Sequence, residues 1–252
     1  MRLFSTDIDG TIYDGPESAA LFSKYWTSLR SAGSTPLLVY NTGRAIDETK
    51  RLVEETDLPE PDFLICGVGT VIHQVSDSEN FEEWGEHLEQ DWNFDLVWEV
   101  VEEHGEPRPQ PDHCQNRHKC SWYWDNAEPE NLERLVGLIE ARGIRVQAIY
   151  SSNRDLDFLP VRANKGNALA WLGERVGIGN EAIVVAGDSG NDASMYEVEA
   201  VRGILVANAE LALVESVRKI SPYHASQPCA AGVIEGLDYH RRPIESASGN
   251  EV

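Results

Sequence analysis

The stretch Leu3-Phe4-Ser5-Thr6-Asp7-Ile8-Asp9-Gly10-Thr11 decides the reading of this chain. A short apolar run, Leu3 to Ile8, ends in acid and glycine, as a buried parallel strand does where it leaves a sheet. Asp7 and Asp9 are two residues apart, so in an extended segment their side chains leave on one face. In open α/β sheets ligands bind beyond the carboxyl ends of the strands, where this pair lies. Taken alone, Asp-x-Asp-Gly reads first as a turn, since Asp and Gly are common there.

Working outward, apolar residues at helical spacing over Glu17 to Ala32 (Leu21, Phe22, Tyr25, Trp26, Leu29) predict a helix. Thr35 to Tyr40 predicts a second strand, Ile46 to Glu55 a second helix, and Phe63 to Cys66 a third strand. That alternation argues for a doubly wound parallel sheet. The rhythm breaks after His73. Five of the seven tryptophans (84, 92, 98, 122, 124) fall in a segment rich in Glu and His, punctuated by Pro107, Pro109 and Pro111. Lys119 to Asp125 alternates like a strand, Glu130 to Arg142 reads as a helix stopped at Gly143, and Arg145 to Ser151 and Asp155 to Pro160 read as strands. The α/β pattern then resumes with helices over Ala163 to Val176, Asp192 to Val198, Ala209 to Val217 and Ala230 to Leu237, and strands at Ala182 to Ala186 and Gly203 to Val206. The expected organisation is a discontinuous core, 1–78 and 161–252, interrupted by an α/β cap, 79–160.

Three further segments raise the first one above a turn. Thr42-Gly43-Arg44 closes the second strand and brings a hydroxyl and backbone N–H groups to the same sheet edge. Lys165-Gly166 opens a helix just after the cap. Gly187-Asp188-Ser189-Gly190-Asn191-Asp192 follows an apolar strand, with two carboxylates among small residues, a donor set suited to a hard cation. Acidic pair, Thr-Gly, Lys, acidic pair, in that order and at strand ends or helix starts, resembles the haloacid dehalogenase superfamily of phosphatases. The segments Gly67-Val68-Gly69-Thr70, Tyr150 to Asp157, Leu159-Pro160 and Asn164 to Asn167 extend the likeness to sucrose-6-phosphate phosphatases and the related mannosylfructose-phosphate phosphatases.

That resemblance implies a chemistry. Phosphate monoesters repel anionic nucleophiles and hydrolyse extremely slowly unaided, so the site must neutralise charge. Asp7 is the implied nucleophile and Asp9 the acid/base. Mg²⁺ is the implied cofactor, held by Asp7, Asp188 and the Asp9 carbonyl. Lys165, Thr42, Gly43 and Gly10 surround the phosphoryl oxygens, with Asn191 and Asp192 behind them. Arg44, Lys119, Ser121, Ser152, Asp155 and Asp157 are hydrogen-bonding candidates for a sugar. Trp122 and Trp124 could offer ring faces to it, but at strand spacing they read first as packing against the helix over 130–142. His113, Cys114, His118 and Cys120 are zinc-ligand types whose spacing matches no common zinc template.

Composition bounds the partners. With 21 basic and 43 acidic residues the net charge is −22, which opposes nucleic acid and anionic membranes and favours a small-molecule substrate. Lysine is scarce, five against sixteen arginines, as suits a saline cytoplasm and many ordinary acidic enzymes. Four cysteines form no secreted disulfide framework, no apolar run reaches membrane-spanning length, and Met1 leads directly into the first strand. A cytoplasmic monomer is expected. Two rivals of other classes are a phosphoacceptor receiver domain, disfavoured by the length and the cap, and a silent sugar-phosphate-binding module, disfavoured by the complete acidic set.

Overall fold

A computed structural model describes residues 1–31, 36–151 and 153–241. In chain order the elements are β1 (Leu3–Thr6), α1 (Pro16–Ser31), β2 (Leu37–Asn41), α2 (Ile46–Glu55), β3 (Phe63–Cys66), β4 (Val71–Gln74), β5 (Glu79–Asn80), α3 (Glu82–Glu89), α4 (Phe94–His104), β6 (Arg108–Pro109), β7 (Cys120–Tyr123), α5 (Pro129–Glu140), β8 (Val146–Ser151) and β9 (Asp155–Pro160). They continue as α6 (Lys165–Arg175), β10 (Ile183–Gly187), α7 (Ala193–Glu197), β11 (Arg202–Leu205), α8 (Leu211–Ser216), β12 (Tyr223–His224) and α9 (Cys229–Arg241).

Eight strands form one sheet in the order β12-β11-β10-β1-β2-β3-β4-β5. The first six run parallel, and β4 and β5 turn back antiparallel at one edge. Buried on both faces, the central strands can be apolar throughout: Leu3, Val39 and Val185 face one cluster, Phe4, Leu38 and Val184 the other. On the second face Phe4, Phe22 and Trp26 meet with ring centroids 5.8–6.3 Å apart, which pins α1 to the sheet. β1 lies between β2 and β10, so the carboxyl ends of all three open on one side. The doubly wound reading from sequence holds, and the class is α/β.

A separate antiparallel sheet, β6-β7-β9-β8, carries α4 and α5 on one face. The register pairs Ser121 with Asp157 and Tyr123 with Asp155. The alternate residues Cys120, Trp122, Leu156 and Phe158 are buried with Val97, Val101, Leu135 and Ile139 of the helices. Trp122 packs on Trp98 with centroids 4.6 Å apart, and Trp124 meets His104 edge-on at 5.2 Å. Both tryptophans therefore serve the helix side of the sheet. α4 is begun by Asn93, whose side chain accepts the Leu96 N–H at 3.1 Å, and ended by Gly105 at φ 80°.

β5 is the edge of the main sheet, and α3 buries Trp84 and Leu88 among core residues such as Ile72 and Leu172. We propose that the cap spans about 94–160 and that 79–89 belong to the core.

Candidate active site

Asp7 stands one residue past the end of β1, with its N–H bonded to the Ala186 carbonyl at 3.0 Å. It is 5% exposed. Lys165, fully buried in the first turn of α6, donates to Asp7 Oδ1 at 2.8 Å and to Asp192 Oδ1 at 2.6 Å. Two local features put Lys165 there. Asn164 caps α6 by accepting the Asn167 N–H at 2.7 Å. Gly166 lets the helix touch α7, for a Cβ there would lie 2.0 Å from the Ser194 carbonyl oxygen. The second oxygen of Asp192 accepts the N–H groups of Asp188 and Ser189 at 3.0 and 2.9 Å. Asp192 thus has both oxygens engaged, holding both Lys165 and the turn that carries Asp188.

Asp188 completes an acidic trio. One oxygen each from Asp7, Asp188 and Asp192 lies within 4.8 Å of the others, and among the described residues this is the group able to hold a metal ion. Thr11 Oγ1 donates to Asp188 Oδ1 at 2.9 Å. Gly10, at φ 74°, makes room for that carboxylate: a Cβ would sit 2.3 Å from Asp188 Oδ2. Burial pushes Asp7 up to about 7, against the opposing pull of Lys165 and with added repulsion from Asp192. Burial likewise raises Asp188 to about 6, partly offset by the Thr11 hydroxyl. Lys165 is held protonated, because the attraction of Asp192 and Asp7 exceeds the cost of its burial. One ammonium therefore faces three carboxylates, and the site is short of positive charge. Hard oxygen donors with unneutralised charge fit a divalent cation.

Asp9, half exposed, turns outward. Arg44 takes both of its oxygens, Nε to Oδ2 at 2.7 Å and a terminal nitrogen to Oδ1 at 2.6 Å. Thr42 is buried, and its Oγ1 accepts the Arg44 N–H at 3.2 Å. Gly43 is exposed on the rim of a cavity of about 810 Å³ between α2 and the cap, lined also by Glu48, Gly67, His113, Asn116 and Lys119. Asn191 is exposed and accepts from Ser189 at 3.3 Å.

Of the sugar candidates, Lys119, Ser121 and Asp157 come together. Lys119 Nζ donates to Ser121 Oγ at 2.9 Å and lies 3.1 Å from Asp157 Oδ1, off the ideal hydrogen-bond direction. The turn that leads into β7 reaches the core through Asn116, which donates to Thr70 Oγ1 at 3.0 Å. Asp155 sits further along the same face and accepts from Gln110 at 3.1 Å. Arg44 is engaged by Asp9 instead of standing free. Ser152 lies outside the described residues. The zinc candidates do not converge: Cys120 faces the helix side with its sulfur on Trp122 Nε1, while His113 is exposed on the cavity rim. Sequence reading passed over Asn41, which donates to the Lys165 carbonyl at 3.0 Å, and over Asn208 and Glu210, which bond to the Gly10 and Asp188 carbonyls; these are tertiary contacts with no local signature.

The chain matches the family described as sucrose-6F-phosphate phosphohydrolase over residues 1–241. It is 37% identical to a mannosylfructose-phosphate phosphatase of Agrobacterium fabrum, covering 94% of this chain and 96% of that one. It is 34% identical to sucrose-phosphatase 1 of Nicotiana tabacum over 93% of its own length, but spans 58% of the plant protein. A solved sucrose-phosphatase from Synechocystis, in complex with sucrose and phosphate, superimposes with a TM-score of 0.82 at 28% identity, covering 94% and 96% of the two chains. The chain belongs to the sucrose-6F-phosphate phosphohydrolase family and is a sugar-phosphate phosphatase of the haloacid dehalogenase type.

Proposed function

We propose that the chain hydrolyses sucrose-6-phosphate to sucrose and phosphate through an aspartyl-phosphate on Asp7. The observation that carries this reading is the buried Lys165 ammonium shared between Asp7 and Asp192, beside Asp188. Mg²⁺, held by Asp7, Asp188 and the Asp9 main-chain carbonyl, would supply the charge neutralisation that a phosphate dianion requires. Asp7 attacks phosphorus, forming an O–P bond as the bond to the sugar oxygen breaks. Asp9, once Arg44 has let the carboxyl go and it has taken a proton from solvent, gives that proton to the sugar oxygen. Asp9 then takes a proton from the water that attacks the aspartyl-phosphate, releasing phosphate and restoring Asp7. Lys165, the Thr42 hydroxyl and the Gly43 N–H hold phosphoryl oxygens throughout, whereas the Gly10 N–H is already taken by the Tyr13 carbonyl. Asp192, with Asn191 beside it, keeps Lys165 and Asp188 in place. Lys119, Ser121 and Asp157 bind sugar hydroxyls at the cap, with Asp155 and Arg44 nearby.

A second substrate, mannosylfructose-phosphate, is favoured by the 37% identity to the bacterial enzyme over nearly its whole length. Four free cysteines suit a reducing compartment, and we read the enzyme as a cytoplasmic monomer. No helix among the described residues is long and apolar enough to cross a membrane.

Phosphate release from a panel of disaccharide and hexose phosphates, with and without Mg²⁺, tests the reading. The expected order is sucrose-6-phosphate, then mannosylfructose-phosphate, then hexose phosphates. No release from any of them by a folded protein overturns it. Asp7→Asn is expected to abolish turnover with its circular dichroism unchanged, and an appreciable residual rate would remove Asp7 as nucleophile.

A further inference from the structure

The turn after β1 is braced from outside the four motif segments. The Gly10 carbonyl accepts two donors, Asn208 Nδ2 at 2.8 Å and Cys229 Sγ at 3.2 Å. Asn208 in turn accepts the Cys229 N–H on its Oδ1, at 2.8 Å. Both ends of this amide are therefore used: one holds the catalytic turn, the other the first residue of α9. Cys229 takes φ 45°, a left-handed value that costs a side-chain-bearing residue energy. That conformation accompanies an N–H aimed at Asn208 and a thiol aimed at Gly10.

The same short segment also reaches the other acidic loop. The Glu210 N–H bonds to the Asp188 carbonyl at 2.7 Å, and the Glu210 carboxylate accepts the Gly190 N–H at 3.4 Å. Residues 208–210 thus tie the Asp7–Gly10 turn to the Asp188–Asp192 turn. The Gly10 N–H is spent on Tyr13 O at 2.9 Å, so in the trans peptide the Asp9 carbonyl points the opposite way. The following peptide, whose carbonyl Asn208 holds, sets where Thr11 meets Asp188.

We propose that Asn208 is a positioning residue for the cation site, fixing the Gly10 peptide so that Asp7, the Asp9 carbonyl and Asp188 converge at one point. This rests on the reading that these groups hold a divalent cation. It does not depend on which sugar phosphate is hydrolysed. Outer partners of metal ligands typically change metal affinity by about 10- to 100-fold when removed.

The test is Mg²⁺ binding to the metal-free protein by calorimetry, without substrate, for wild type, Asn208→Asp, Asn208→Ala and Cys229→Ala. Asn208→Asp keeps the acceptor for the α9 N–H and loses the donor to Gly10. Its added negative charge near the cation would by itself tighten binding, so weaker binding reports lost geometry. The expected result is about tenfold weaker Mg²⁺ binding in Asn208→Asp and Asn208→Ala, with KM for the sugar phosphate at saturating Mg²⁺ within about twofold of wild type. Cys229→Ala, which keeps the Asn208 bridge, should bind within about twofold. Wild-type affinity in Asn208→Ala, which adds no compensating charge, overturns the proposal, as does affinity tighter than wild type in Asn208→Asp should the alanine variant not fold. Undetectable Mg²⁺ binding by wild type would instead defeat the cation reading on which it rests.

Discussion

Arg44 holds Asp9 by both oxygens, at 2.7 and 2.6 Å, in a paired fork at the rim of the site. A carboxylate bound in this way cannot also protonate a leaving sugar oxygen, so the pair must open when substrate arrives. The phosphorylated sugar is the natural new partner for the guanidinium. Arg44→Met should therefore raise KM for the sugar phosphate about tenfold, the worth of roughly one charge-assisted hydrogen bond, with kcat changed less. Steady-state kinetics decide it: a fall in kcat with KM unchanged would mean that Arg44 acts only through Asp9.

The acidic site links cation binding to pH. Burial raises Asp7 to about 7 and Asp188 to about 6, so the folded, metal-free protein holds these protons more tightly than the unfolded chain. Their contribution to stability is present below about pH 4 and lost as pH rises through 6 and 7. A divalent cation must displace the same protons. Mg²⁺ affinity should rise about tenfold between pH 6 and 7, where one proton is released, and level off above. The Mg²⁺-induced rise in Tm should accordingly be larger at pH 8 than at pH 5.5. Equal shifts at the two pH values would contradict this account.

Asp188→Asn separates the two effects. Removing this carboxylate relieves part of the charge excess, so the metal-free Tm at pH 8 should rise by a few degrees, on the order of 1 kcal/mol. The variant should also lose most of the Mg²⁺-induced increase. A metal-free Tm below that of wild type would show that Asp188 is stabilising without a cation.

Lys119 lies in the cap, remote in sequence from the phosphate groups, and binds Ser121 and Asp157. If this cluster reads the sugar, Lys119→Met should lower kcat/KM for sucrose-6-phosphate by about 100-fold, two lost charged hydrogen bonds. Turnover of p-nitrophenyl phosphate, which has no sugar to bind, should stay within about threefold. An equal loss on both substrates would move Lys119 from recognition to general folding.

What could be read in the sequence followed from distance along the chain. Strands such as Phe63–Cys66 and Asp155–Pro160, and the helix Ile46–Glu55, are continuous patterns, and their bounds match the structure. The helix opening at Lys165 starts two residues later than its apolar pattern suggests, because Asn164 is its cap. α3 was missed because eight residues with Gly85 in the middle bury only Trp84 and Leu88, too few to set a period. β5 and β12, two residues each, exist only because a neighbouring strand pairs with them. The motif residues Asp7, Lys165, Asp188 and Asp192 were legible because each stands at a strand end or helix start. The Arg44–Asp9 fork and the Asn208 bridge were not, since they join segments 35 and 198 residues apart.

Gly10 tests the close approach on which the acidic trio depends. An alanine there would have to keep φ 74°, at a cost of about 1 kcal/mol. Its Cβ would also lie 2.3 Å from Asp188 Oδ2, closer than any real contact, so the carboxylate must swing away. Gly10→Ala should consequently weaken Mg²⁺ binding by more than about tenfold and lower the Tm modestly. Gly190→Ala is the control: it lies in the same pair of loops, yet among the described residues, chain neighbours aside, nothing stands within 4 Å of the new Cβ. It should bind Mg²⁺ and turn over substrate as wild type does. Gly190 lacks the positive φ of Gly10, so a difference in Tm carries the backbone cost as well, and it is the difference in Mg²⁺ affinity that reports the displacement of Asp188. If Gly10→Ala kept full Mg²⁺ affinity, Asp188 would not be a ligand in the position it occupies here.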